Sequence, residues 1–174
     1  YREACVPREW VDQLFVHYSG LFASVFDEQD VDYLEQFIRP PAYKIASREA
    51  ADFDLVTKAA KTGKPLIIST GTATDEQLGR SIAEAAKHTS QIALLYCVSE
   101  YPAKPESIDF DQIGVLRHRY QLPVGFSDHT TGIEAAVKAV KDFGACIIEK
   151  HLTLSRADGG PDAAFSLEPH ELKQ

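Results

Sequence analysis

The 174 residues contain no methionine, and the chain opens on Tyr1. A chain that starts this way is expected to be a processed product or a piece of something longer. Cysteine occurs three times, at Cys5, Cys97 and Cys146. The number is odd and no CxxC or paired spacing is present, which argues against a disulfide framework or a thiolate zinc site. Reduced thiols in a cytoplasmic protein are expected instead. Positive charge is in deficit: 18 Lys and Arg against 26 Asp and Glu leave a net charge of −8. A nucleic-acid partner would need a basic face, so none is expected. No apolar run reaches the length of about 18 residues that a membrane span needs. No charged-then-apolar leader is visible either, so no membrane partner is expected. What is present is 44% hydrophobic residues over a length that suits one domain with a sizeable core, assigned to 1–174.

The pattern alternates strand and helix. Apolar, β-branched runs fall at 21–26, 42–46, 65–69, 92–98, 123–126 and 145–149. They are short and nearly continuous, as strands of a parallel sheet covered on both faces must be. Helical spacing falls at 30–37, 53–60, 75–87, 108–120 and 133–143, the last presenting Val137, Val140 and Phe143. A further helix precedes the first strand at 8–17, and another starts at 168–172. Thr74 with Gln77 and Thr131 with Glu134 read as capping boxes, and Gly63 and Gly144 as helix stops. The result is six parallel βα units. Both an open doubly wound sheet and a partial (β/α)8 TIM barrel fit. The barrel is favoured because nearly every strand ends in polar, reactive residues, whereas an open sheet gathers its site at one switch point.

Those strand ends carry the candidate chemistry. His129 and His151 stand 22 residues apart, each just past one of two consecutive strands. Neighbouring strands lie about 4.8 Å apart, so the two imidazoles can converge on one divalent transition metal, or each can simply satisfy a loop. His17, His88, His118 and His170 read as solvated. Ser69-Thr70-Gly71-Thr72 follows an apolar strand and opens a capped helix, a pattern that suits a phosphate and also suits an empty turn. Ser24, Ser47, Ser99 and Ser127 end other strands. Lys44 is a cation inside an apolar strand, to be neutralised by a bound anion or by Glu49 or another acid. Glu49 and Asp162 serve as acid, base or polar ligand, or as ordinary loop carboxylates.

Several segments together resemble, in order, the motifs of the sialic acid synthase family. They are Tyr43-Lys44-Ile45-Ala46-Ser47-Arg48-Glu49, Ile68-Ser69-Thr70-Gly71, Cys97-Val98-Ser99-Glu100-Tyr101-Pro102, Gly125-Phe126-Ser127-Asp128-His129-Thr130, Glu149-Lys150-His151-Leu152-Thr153-Leu154, Gly160-Pro161-Asp162 and Phe165-Ser166-Leu167-Glu168-Pro169. The resemblance implies a (β/α)8 barrel that condenses phosphoenolpyruvate with an N-acetylated amino sugar, giving a nine-carbon acid and phosphate. It implies that His129 and His151 ligate a divalent metal, Mn2+ first, with Mg2+ or Co2+ as alternatives. Lys44, Ser47, Ser69, Ser99, Ser127 and Ser24 would hold phosphoenolpyruvate. Glu49, Tyr101 and Asp162 would face the sugar or the metal-bound water, with Glu49 in a catalytic role. The full-length protein would be a cytoplasmic homodimer.

The family pattern also includes two earlier strands and a C-terminal antifreeze-like domain that this sequence does not contain. Arg48 stands where many members have Gly, Val25 replaces a frequent Pro, Ser24 a frequent Thr, and Ser99 an Asn of some members. Arg48 with Ala46-Ser47 is closer to the pseudaminic acid branch. Two rival readings stay open: a Schiff-base aldolase using Lys44 or Lys150, and a binding module without turnover.

Overall fold

Strand and helix alternate along the described residues. The computed structural model describes residues 6–18 and 20–174, so the expectation for Cys5 lies outside the described residues. The order is α1 (Arg8–His17), β1 (Ala23–Val25), α2 (Glu28–Phe37), β2 (Tyr43–Ile45), α3 (Phe53–Ala60), β3 (Leu66–Ser69), α4 (Asp75–Ala85) and β4 (Ile92–Cys97). Then follow α5 (Asp111–Tyr120), β5 (Val124–Asp128), α6 (Glu134–Phe143), β6 (Ile148–Lys150) and α7 (Pro169–Leu172). The six strands stand in chain order, with parallel pairing. A doubly wound sheet reverses its order at a switch point, and a barrel series does not. The unreversed order therefore favours the barrel series. No described helix is long and apolar enough to cross a membrane.

The chain divides into two compact units, Tyr1–Ile68 with Ala73–Ile92, and Ser69–Thr72 with Ala93–Gln174. In the first, β2 is buried at every residue, as a strand covered on both faces requires. Its core is Val25, Ile45, Ile68, Leu55, Val56 and Leu78. Asp27 and Asp52 cap α2 and α3 by accepting the amide protons of Asp30 and Leu55. The capping box of Thr74 and Gln77 is formed in both directions. At the start of β2 the buried Tyr43 hydroxyl donates to Glu35 Oε1 at 2.6 Å, and Lys64 pairs with the same carboxylate. Lys64 and Tyr43 together hold the Glu35 carboxyl below its ordinary range, against the upward push of burial.

In the second unit β5 is buried at all five residues. Gly125 is required there, since a Cβ would stand 2.3 Å from the Ile147 carbonyl oxygen. Three expectations are corrected here. The Thr131–Glu134 capping box does not form: α6 begins at Glu134, with Ile133 as its N-cap and no side-chain cap bond. Gly132, at φ +74°, turns the chain first, which moves the helix start past Thr131. The inward face of α6 is made by Ala135 and Ala139, while Val137 and Val140 are 40% and 46% exposed. The last strand spans Ile148–Lys150 rather than 145–149. Ala145 and Cys146 lead into it, the Cys146 amide donating to the Val124 carbonyl at 3.0 Å. Gly144 ends α6 in the left-handed conformation, φ +68°, as its sequence position predicts. Cys97 is buried and Cys146 exposed, and His17, His88, His118 and His170 are exposed.

Candidate functional site

Side chains alternate across a strand, so a functional row at a strand end uses every second residue. β5 and β6 pair with Ser127 opposite Glu149 and Asp128 opposite Lys150. One face carries Ser127, His129, Glu149 and His151. The Ser127 hydroxyl donates to Glu149 Oε1 at 3.4 Å and lies 3.5 Å from His129 Nε2. The rings of His129 and His151 have centroids 5.5 Å apart. Tyr101, itself 54% exposed, brings its ring to 4.2 Å from His129, and Phe165 stands 5.1 Å from His151.

The two imidazoles are oriented from behind. His129 Nδ1 is 2.9 Å from the Val98 carbonyl oxygen. A carbonyl only accepts, so Nδ1 carries the proton and Nε2 presents a lone pair when the ring is neutral. Burial holds His129 below its ordinary pKa, opposed by the Val98 carbonyl and reinforced by His151, which favours that neutral form. His151 Nδ1 lies 3.5 Å from Asp162 Oδ2. An imidazole backed by an oxygen on its second nitrogen is the usual setting of a metal-ligating histidine. Among the described residues no group of three or more His, Cys, Asp or Glu gathers as a metal cage. The donors these residues could offer a divalent ion are the two imidazole nitrogens of His129 and His151.

The opposite face of the same strand ends holds a buried ion pair. Lys150 Nζ donates to Asp128 Oδ2 at 2.8 Å and also to the Thr130 carbonyl, while Asp128 Oδ1 accepts the Thr130 amide at 2.8 Å. The two side chains are 6% and 0% exposed. A Schiff-base nucleophile must be a neutral, accessible amine, so this engagement counts against Lys150 in that role.

Ser69-Thr70-Gly71-Thr72 leaves β3 in the same unit. The Thr70 amide donates to the Leu95 carbonyl at 3.0 Å. A Cβ on Gly71 would meet Ser99 Oγ at 2.5 Å, Cys97 Sγ at 2.6 Å and the Cys97 carbonyl oxygen at 3.1 Å, so a larger residue there needs both side chains to move aside. Ser69 Oγ is buried and has no hydrogen-bond partner among the described residues, and the same holds for Thr130 Oγ1. A buried hydroxyl without a partner is uncommon and asks for an explanation such as a ligand.

The remaining candidates lie in the first unit. Ser24 is exposed in register with the buried Lys44, Ser47 is buried, and Glu49 opens a short 3-10 turn, Glu49–Ala51. The structure thus brings together Ser127, His129, His151, Tyr101 and Asp162, and places Ser24 and Lys44 on consecutive strands of the other unit, with Ser47 in the turn after β2. Reading the sequence missed Glu149 and Phe165 as members of the histidine cluster. Glu149 was recoverable, because it stands two residues before His151 and so shares its face. Phe165 was not, since it returns from a loop.

A family model described as the NeuB family matches residues 1–174. The chain is 40% identical over 179 aligned positions to the pseudaminic acid synthase of Campylobacter jejuni subsp. jejuni serotype O:2, covering 99% of this chain and 51% of that protein. It is 38% identical over 157 positions to the N,N'-diacetyllegionaminic acid synthase of the same organism, covering 88% of this chain and 46% of that protein. A solved structure of N-acetylneuraminic acid (sialic acid) synthetase from Leptospira borgpetersenii serovar Hardjo-bovis, in complex with citrate, superposes with a TM-score of 0.83 at 38% identity. That match covers 87% of this chain and 52% of the other. The chain spans about half the length of the curated relatives it matches.

Proposed function

The chain belongs to the NeuB family, and on that premise we propose that it serves the condensation of phosphoenolpyruvate with an N-acetylated amino sugar. The observation that carries the reading is the shared face at the ends of β5 and β6, where His129, His151, Ser127 and Glu149 meet Tyr101. In the reaction the enol carbon of phosphoenolpyruvate forms a bond to the aldehyde carbon of the sugar. Water adds to the resulting C2 cation, the C2–O bond to phosphate breaks, and one sugar, one phosphoenolpyruvate and one water give one nine-carbon acid and one phosphate.

The chain's own residues bind and orient. Ser69 offers its buried hydroxyl to the phosphate and carboxylate oxygens, and the resemblance adds Lys44, Ser47, Ser24 and Ser99 to that set; Ser127, which the resemblance also implies there, already gives its one O–H to Glu149. Ser69 supports this assignment because its hydroxyl is buried and has no partner among the described residues. Tyr101 offers a half-exposed ring to the sugar, and Asp162 and Glu49 its polar partners. Ser127 donates to Glu149 near His129, which supports that carboxylate as the acceptor of a proton from the attacking water. His129 and His151 would hold a divalent ion, Mn2+ in the first instance, which would supply Lewis-acid polarisation of the sugar aldehyde. Alignment of the two substrates is much of the remaining task. A pseudaminic-type acceptor, a cytoplasmic location and a homodimer belong to the same proposal. The acceptor is supported by the Ala46-Ser47-Arg48 segment and by the likeness to the Campylobacter pseudaminic acid synthase.

The test is phosphate release by the full-length protein from phosphoenolpyruvate, against a panel of N-acetylated sugars, with Mn2+ and after chelation. Release that depends on both sugar and metal is expected. Borohydride trapping of a lysine adduct with a carbonyl substrate, without phosphate release, would replace this reading by the aldolase.

A further inference from the structure

We propose that the buried Asp128–Lys150 pair is a positioning device that sets the separation of His129 and His151. The inference rests on the reading of those two histidines as the pair that serves the reaction. Each member of the ion pair is the residue immediately before one of the histidines. The two are register partners on neighbouring strands, on the face opposite the imidazoles. Lys150 joins Asp128 Oδ2 at 2.8 Å and the Thr130 carbonyl, and Asp128 Oδ1 accepts the Thr130 amide at 2.8 Å. His129 is thereby bracketed on both sides by groups tied to the residue that precedes His151.

The need for such a tie follows from β6. It is three residues long, it closes the strand order, and it is registered against β5 alone. A ladder that short restrains the strand end weakly. The Leu167 amide, which donates to the His151 carbonyl at 2.8 Å, holds the far side of the same segment. The Val98 carbonyl orients the His129 ring and Asp162 stands 3.5 Å from that of His151, whereas the ion pair fixes the backbone from which both rings spring. A pair with this little exposure is a poor way to gain stability: well-packed apolar residues of similar volume are often as stable or more so. What the pair adds is a fixed register at the place where the two imidazoles must stand 5.5 Å apart.

The test uses the full-length protein and four variants: K150M, D128N, D128L/K150M and D128E. The single variants K150M and D128N strand one charge and are expected to lower both Tm and kcat. In D128L/K150M the melting temperature is expected to recover while kcat stays down on the order of a hundredfold, the cost of a misplacement of about 1 Å. The KM for phosphoenolpyruvate should change little. In a crystal structure of the double variant the two rings are expected to leave their 5.5 Å separation. D128E keeps both charges and lengthens the tie, so it should fold and still lose kcat, which keeps the test decisive if the double variant does not fold. Recovery of kcat together with Tm, unchanged ring separation in the double variant, or full kcat in D128E would overturn the proposal. A wild-type protein that releases no phosphate with any sugar would sink the functional reading alone, and the ring separation would still decide this one.

Discussion

Replacing Ser69 by Ala is expected to move stability and substrate affinity in opposite directions. Ser69 is 2% exposed, and its hydroxyl has no hydrogen-bond partner among the described residues. Leaving a buried hydroxyl unpaired costs about 1–3 kcal/mol. Alanine keeps the Cβ and removes only the oxygen, so the free protein should gain about 1 kcal/mol, or about 2–4 °C in Tm for a chain of this size. With phosphoenolpyruvate bound, the same hydroxyl meets a charged oxygen, an interaction worth about 1.5–3 kcal/mol. Its loss should raise the KM for phosphoenolpyruvate by roughly ten- to a hundredfold, while the KM for the sugar stays within about threefold, less than 1 kcal/mol. Calorimetry of the ligand-free protein and phosphate-release kinetics of the full-length enzyme read the two arms. A lower Tm, or an unchanged KM for phosphoenolpyruvate, would refute the reasoning by showing that Ser69 is a satisfied structural residue.

Burial holds His129 below its ordinary pKa of 6.5 in the folded chain. The unfolded chain therefore binds the extra proton first, and stability is full above about pH 6.5 and declines as the pH falls below it. Tm measured against pH for metal-free wild type and H129Q should show a steeper acid decline in the wild type; parallel curves would contradict this. Tyr43→Phe removes the 2.6 Å bond to Glu35 and leaves Lys64 in place. It should cost about 1.5 kcal/mol in urea melts with no change in kcat, because Tyr43 opens β2 at the end away from Ser47. Gly114 lies inside α5 with open space where a Cβ would stand. Gly114→Ala should stabilise the protein by about 0.5–1 kcal/mol, and a loss in the same melts would show that the backbone there needs glycine.

Much of this molecule is readable from local pattern, and its misreadings share a cause. The strand ends that carry Ser127, His129 and His151 were visible because parallel strands are buried runs, and a polar residue that breaks such a run marks its end. The Thr74 capping box was visible because both partners lie within four residues. The equivalent pattern at Thr131 failed because Gly132 adopts a positive φ and turns the chain before the helix starts. Val137 and Val140 obey helical spacing, yet the packed face of α6 is set by what fits against β5, and there two alanines fit. Glu149 and the Asp128–Lys150 pair depend on the register of β5 against β6. Register is a relation between segments 22 residues apart, and neither segment states it alone.

The alternation at the ends of β5 and β6 also constrains how such a sequence can drift. Deleting one residue from β6 would exchange its two faces, sending the lysine among the imidazoles and the histidine toward the aspartate. A single missense change at Lys150 damages one link, but a single-residue change of length inverts the whole arrangement at once. Inherited insertions and deletions are therefore expected to be purged from β5 and β6 unless they come in pairs.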